Sequence, residues 1–195
     1  MIEQHLRPLY QRLCVNPITP VLIERVTPNQ VTFFSGVLGL LVIPALWLNL
    51  PYLAISLLLL SGYCDTLDGT IARLTNHSSD WGSVLDIMTD RVVEVGVVFA
   101  LWAINPNERG LGSLLMMASI LLCITSFLVV GIFKTNDSEK SFHYSPGLIE
   151  RAEAFVFFIA MMLWPNHFLS LAMIFSLLVI GTAMHRLYEF HKQSI

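Results

Sequence analysis

Long apolar runs separated by short polar stretches recur along the whole chain, and their lengths predict helices that cross a bilayer. Six such runs are expected, at approximately 31–50, 53–75, 82–104, 111–134, 147–164 and 167–188. Ahead of them, residues 1–25 mix apolar positions (Leu6, Leu9, Tyr10, Leu13, Val21, Leu22, Ile23) with charged ones, the pattern of a helix lying on the membrane surface. "TPNQ" opens the first run, with Thr27 as the cap, Pro28 at the first helical position and Gln30 placed to close a capping box. Ser145 and Pro146 open the fifth in the same way. The expected fold is all-α: a polytopic membrane protein with six transmembrane helices and an N-terminal amphipathic surface helix. It divides into a juxtamembrane segment, 1–26, and a six-helix membrane domain, 27–195, with no internal repeat.

Composition excludes a soluble globular domain. Of 195 residues, 55% are hydrophobic and 13% charged, against about a quarter charged in soluble domains, and the mean hydropathy is +0.67. Glu3, Arg7, Arg12, Glu24 and Arg25 interrupt the first 25 residues, so no cleavable signal is expected there. A net charge of −3 says less than where the charges lie. Arg7, Arg12, Arg25, Arg73, Arg91, Lys134, Lys140, Arg151, Arg186 and Lys192 all fall toward one side of the six runs, and Arg109 alone toward the other. The positive-inside rule then puts both termini in the cytoplasm and the protein in the cell (inner) membrane. Trp47, Trp102 and Trp164 fall at the opposite ends of runs, as interfacial aromatics do. Cys14, Cys64 and Cys123 have no metal or redox spacing and read as packing residues. The Phe- and Met-rich fifth and sixth runs are expected to face lipid or a second subunit, and no nucleic-acid partner is expected.

Four aspartates break the second and third runs. Asp65 and Asp68 fall near the cytoplasmic end of the second, Asp86 and Asp90 near the cytoplasmic start of the third, and Asp80 lies in the polar connection. Spacings of three and four put each pair on one helical face. The short connection makes the two helices antiparallel neighbours, so all four carboxylates can converge in a cavity open to the cytosol. Four like charges in a poorly hydrated pocket repel one another unless protons or cations neutralise them. All-oxygen ligands favour magnesium, calcium or manganese over zinc. Solvated helix ends, or partners for Arg73 and Arg91, would account for two of the four. Gly69, Ala72 and Gly82 leave backbone open to a bulky ligand, although small residues also serve helix packing. Arg73 offers a guanidinium fork suited to phosphate oxygens. Metal, small residues and arginine together describe a diphosphate site.

The run Asp65-Thr-Leu-Asp68-Gly69-Thr-Ile-Ala72-Arg73, eight residues, Gly82, three residues, Asp86, three residues, Asp90 resembles the signature of the CDP-alcohol phosphotransferase family, matching at all eight fixed positions. "TPNQVT" at 27–32 resembles that family's entry to its first span, and length and layout agree. The resemblance implies a phospholipid synthase that displaces CMP from CDP-diacylglycerol with an acceptor alcohol. It implies divalent cations, Mg2+ or Mn2+ and two per site, with Asp65, Asp68 and Asp86 as main ligands. Asp90 would be the general base and a further metal ligand. Asp65, Asp68, Gly69, Ala72, Arg73, Gly82 and Asp86 would line the CDP site, at the cytoplasmic leaflet. Homodimers are usual in the family.

The acceptor is read from weaker signals. Lys134, Arg151 and Arg186 reach the depth of the aspartates on the expected topology, and basic groups there suit a phosphorylated acceptor, although positive-inside anchoring or pairing of Arg151 with Glu150 or Glu153 also explains them. Glycerol 3-phosphate is the first choice, giving a phosphatidylglycerophosphate synthase. An inositol phosphate is second, because Asp90-Arg91 and "GLIERAE" at 147–153 resemble that branch. Serine or another amino alcohol would leave the basic residues without a phosphate. Arg91 and Glu94 are expected to pair within their helix and orient the site, and His143 reads as a solvated loop residue. A divalent-cation transporter is the alternative class, disfavoured because the aspartates lie to one side and the outer halves of the runs offer no polar path.

Overall fold

The computed structural model describes residues 10–23, 25–75, 77–133 and 149–193, and every regular element among them is helical. Two units share the chain, Ile2–Ile104 and Asn105–Ile195. The first holds a π-helical turn Gln11–Val15 and helices α1 (Thr19–Ile23), α2 (Pro28–Leu40), α3 (Val42–Trp47), α4 (Pro51–Leu74) and α5 (Asp80–Ile104). In the second are α6 (Pro106–Phe133), α7 (Arg151–Leu163), a 3-10 turn Pro165–His167 and α8 (Phe168–Gln193).

The capping box forms as expected. Thr27 Oγ1 accepts the Gln30 N–H at 3.4 Å, and Gln30 Oε1 accepts the Thr27 N–H at 3.0 Å. The first run is not one rod, however: α2 ends at Leu40 and α3 starts at Val42. Pro44 is the cause, because it has no N–H to give the Leu40 carbonyl and its ring collides with that group. After α3 the chain reverses through Asn49, whose φ of 56° lies in the left-handed region that asparagine tolerates better than most residues.

Helix α2 is the spine of the first unit, packing on both α4 and α5. Ser35 Oγ donates to the Ser61 carbonyl at 2.8 Å and Ser61 Oγ to the Ser35 carbonyl at 2.9 Å, a reciprocal pair tying α2 to α4. Such hydroxyl–carbonyl bonds hold helices together where apolar surroundings give no other polar partner. Against α5 the contact is closer still: a Cβ on Gly36 would lie 2.8 Å from Thr89 Cγ2.

Before α2, the expectation of one amphipathic helix is not met among the described residues. Residues 16–18 form a turn between the π-helical turn and α1. Pro17 and Pro20, each lacking an N–H, prevent a continuous helix there. Val15 is buried with Val31, Leu67 and Ile71, and Leu22, Ile23 and Tyr63 pack around them. Part of the apolar face expected to meet lipid thus covers α4.

Among the described residues, three segments are long and apolar enough to cross a membrane: Pro28–Trp47, Pro106–Phe133 and Pro165–Gln193. Helices α4 and α5, of 24 and 25 residues, reach spanning length but carry the aspartates, which lower their apolar character. The described part of the fifth run, α7, has 13 residues, about 20 Å at helical rise.

In the second unit α6 packs along α8. Arg109 is buried with its guanidinium 4.9 Å over the Phe168 ring. The Phe- and Met-rich fifth and sixth runs, expected to face lipid or a second subunit, turn part of their side chains inward: Phe155, Phe158, Met161, Met162 and Phe175 are buried. Phe175 explains it, receiving Phe157 and Phe158 from α7 at 5.7 Å each between ring centroids.

Candidate active site

All eight signature residues belong to the first unit: Asp65, Asp68, Gly69, Ala72 and Arg73 to α4, Gly82, Asp86 and Asp90 to α5. Although joined by a short connection, α4 and α5 scarcely pack on each other. Each leans instead on α2. Asp65 and Asp68 on α4 thus meet Asp86 on α5 in a gap between the two helices, where convergence was expected. Asp65, Asp68 and Asp86 each bring an oxygen within 4.8 Å of the others. Asp90, one turn beyond Asp86, does not belong to that group.

Asp68 is 4% exposed, as is Thr32 on α2. The Thr32 hydroxyl donates to Asp68 Oδ2 and also lies 3.1 Å from the Pro28 carbonyl of its own helix. One oxygen of Asp68 is thereby held by α2. Three hard oxygen donors gathered this closely repel one another unless a cation lies between them. That donor set fits a hard divalent ion such as magnesium or manganese, and not a soft one.

Around the carboxylates the small residues have distinct surroundings. A Cβ on Gly69 would sit 3.5 Å from Arg73 Nη1, so the guanidinium lies back across that glycine, and Arg73 Nη2 donates to Thr70 Oγ1 at 3.3 Å. At Gly82 a Cβ would meet Ser79 Oγ at 3.1 Å and Asn29 Oδ1 at 3.3 Å. Ser79 starts α5, its Oγ accepting the Gly82 N–H at 3.0 Å. Asp90 stands beside Arg91, whose Nη2 is 4.0 Å from Asp90 Oδ2 and whose Nη1 pairs with Glu94 Oε2 at 2.6 Å. Glu94 is 5% exposed. The Arg91–Glu94 pair expected from the sequence is present.

The three basic residues assigned to the acceptor fare differently. Lys134 lies outside the described residues, as does His143. Arg151 is the first residue of α7 and its guanidinium is 5.3 Å over the Phe155 ring. Arg186 on α8 is buried and already engaged with α6: Nη1 donates to the Cys123 carbonyl and to Ser126 Oγ, both at 3.0 Å, with the Phe127 ring 5.3 Å from its guanidinium carbon.

Thr32 and Asn29 were not singled out from the sequence. Both lie in "TPNQVT", whose polar residues mark the helix start, but nothing local tells that Thr32 will meet a carboxylate 36 positions away.

Clustered carboxylates with a neighbouring arginine, on helices of membrane-spanning length, suit metal-assisted chemistry on a phosphorylated substrate. Residues 25–184 match the family described as CDP-alcohol phosphatidyltransferase, and the chain belongs to that family. It is 27% identical over 196 residues to the inner membrane protein YnjF of Escherichia coli, covering 97% of this chain and 95% of that protein. To the phosphatidylinositol phosphate synthase of Corynebacterium glutamicum it is 28% identical over 152 residues, 74% of this chain and 67% of that one. The fold matches that of the Mycobacterium tuberculosis phosphatidylinositol phosphate synthase. Its structure with CDP-DAG bound gives a TM-score of 0.73 over 89% of this chain and 92% of that one, at 19% identity. A second structure of that enzyme, in complex with manganese and citrate, also gives 0.73, over 89% of this chain and 87% of that one, at 18% identity. The protein is thus a membrane-bound phosphatidyltransferase of phospholipid synthesis.

Proposed function

We propose that the protein transfers a phosphatidyl group from CDP-diacylglycerol to an inositol phosphate, releasing CMP. The donor follows from the family and from the related synthase solved with CDP-DAG bound. For the acceptor, relatives named phosphatidylinositol phosphate synthase, from Corynebacterium and Streptomyces, favour an inositol phosphate over the glycerol 3-phosphate first expected. The observation that carries the reaction is the approach of Asp65, Asp68 and Asp86 to within 4.8 Å of one another. With the intact signature around them, they make a catalytic site a better reading than an ion path.

In this reading Asp65, Asp68 and Asp86 hold two divalent ions, magnesium or manganese, which when bound neutralise the diphosphate and make CMP a better leaving group. Thr32 keeps Asp68 turned toward the gap. Arg73 binds diphosphate oxygens, and Gly69, Ala72 and Gly82 line the nucleotide. Asp90, outside the carboxylate cluster, takes the proton from the acceptor hydroxyl as its oxygen attacks the lipid-linked phosphorus and the bond to CMP breaks. Arg91 and Glu94 orient Asp90.

The wider arrangement belongs to the same proposal. Six spans enclose residues 27–195, with 1–26 alongside the membrane, both termini in the cytoplasm and the site at the cytoplasmic leaflet of the inner membrane, as the basic residues require. There a soluble acceptor meets a donor whose acyl chains stay in the bilayer, in a homodimer. The test is CMP release by purified protein supplied with CDP-diacylglycerol, manganese or magnesium, and one acceptor at a time. An inositol phosphate should support the fastest turnover. Faster turnover with glycerol 3-phosphate or free serine would reject this acceptor.

A further inference from the structure

The segment ahead of the first long helix reaches the residue next to the site arginine. Thr70 lies between Gly69 and Ile71 on α4 and is 3% exposed. A hydroxyl has one proton to give and two lone pairs to accept with, and Thr70 uses all three. Its Oγ1 donates to the Thr66 carbonyl at 2.8 Å. It accepts from Arg73 Nη2 at 3.3 Å and from Gln11 Nε2, 59 positions earlier, at 3.1 Å. Gln11 belongs to the π-helical turn, and a second bond fixes that turn on α4, Tyr63 Oη donating to the Cys14 carbonyl at 2.8 Å. Tyr10 stands edge-on to the Tyr63 ring at 6.4 Å, and Val15 is buried against Ile71 and Leu67.

We infer that the N-terminal segment is a positioning device for the donor site: Gln11, through Thr70, sets where the Arg73 guanidinium stands. The proposal rests on the reading of Arg73 as a diphosphate ligand. Gln11 occupies the second lone pair of Thr70 and closes off a hydroxyl that water would otherwise reach. The bond from Arg73 is then made to an acceptor with a fixed direction. Held in this way, the guanidinium loses less freedom when a diphosphate arrives, and preorganisation of that kind appears as affinity rather than as rate. Gln11 touches no substrate and acts only through its neighbours.

The experiment is steady-state kinetics of CMP release on the full chain, with CDP-diacylglycerol varied and acceptor saturating, alongside thermal stability in the same detergent. Gln11→Ala and Thr70→Val should raise the KM for donor roughly three- to tenfold while kcat stays within about twofold. Thr70→Ser, which keeps the hydroxyl, should stay near the native KM. In the Arg73→Ala background, Gln11→Ala should add nothing further, because there is no guanidinium left to position. A large KM effect of Arg73→Ala with none from Gln11→Ala overturns the positioning role alone. No KM effect from Arg73→Ala removes the donor-site reading and the inference with it. Equal losses in kcat and thermal stability, with KM unchanged, would make the contact a purely structural one and overturn the proposal.

Discussion

Thr32 and Asp68 are joined side chain to side chain and both 4% exposed, so water cannot replace the hydroxyl if it is removed. Outer partners of metal ligands are typically worth 10- to 100-fold in affinity. Thr32→Val, which keeps shape and loses the donor, is expected to weaken Mn2+ binding by roughly 10- to 100-fold, and Thr32→Ser to restore most of it. Titration of Mn2+ followed by electron paramagnetic resonance reads this without turnover. Asp90 makes a different prediction because it stands outside the carboxylate cluster. Asp90→Asn should lower kcat by at least about 100-fold, the scale of general-base catalysis, while donor binding changes little. Near-native turnover in that variant contradicts the base assignment. The eight signature residues were legible beforehand because they lie between 65 and 90, where spacing puts each aspartate pair on one helical face and the run as a whole resembles the family's signature. Thr32 and Gln11 were not, because their partners stand 36 and 59 positions away. A threonine inside a helix or a half-buried glutamine carries no local mark of such a partner.

Helices begin and end here for reasons visible in sequence wherever the chemistry is local. Thr27, Pro28 and Gln30 state the start of α2, and the structure has that capping box. Pro44 was equally visible but was read through, because the apolar run continues past it. The interruption is a backbone effect that hydropathy does not register. Packing between helices was less accessible. Gly36 faces Thr89 so closely that an added methyl would stand 2.8 Å from Thr89 Cγ2, and a well-packed contact of this kind resists extra volume at a cost of about 1–3 kcal/mol. Gly36→Ala should therefore lower the thermal midpoint of the detergent-solubilised protein. Adding Thr89→Ser, which removes the obstructing methyl, should recover much of the loss. An unchanged midpoint for Gly36→Ala would mean that α2 and α5 are not held this close. The same contact matters for the site, since α2 carries Thr32 and α5 carries Asp86 and Asp90.

At the scale of the molecule, apolar content marks three segments among the described residues as long and apolar enough to cross a membrane. The pair that carries the aspartates falls short because function has replaced part of its apolar surface. The most informative stretch for chemistry is thus a poor one for topology, and both were read from the same residues. The acceptor was the least legible feature. Basic residues near helix ends serve anchoring, packing and binding alike, and the structure has Arg186 bonded to Cys123 and Ser126 while Arg109 stacks on Phe168. Kinship with phosphatidylinositol phosphate synthases, rather than any residue count, moved the preferred acceptor from glycerol 3-phosphate to an inositol phosphate.

Anomalous diffraction from crystals grown with Mn2+, recorded near the manganese absorption edge, addresses the carboxylate cluster most directly. The expected result is strong anomalous density among Asp65, Asp68 and Asp86, lost in Asp86→Asn crystals. Density at other residues, or none there at saturating Mn2+ with the three side chains turned apart, would contradict a metal-assisted site between α4 and α5.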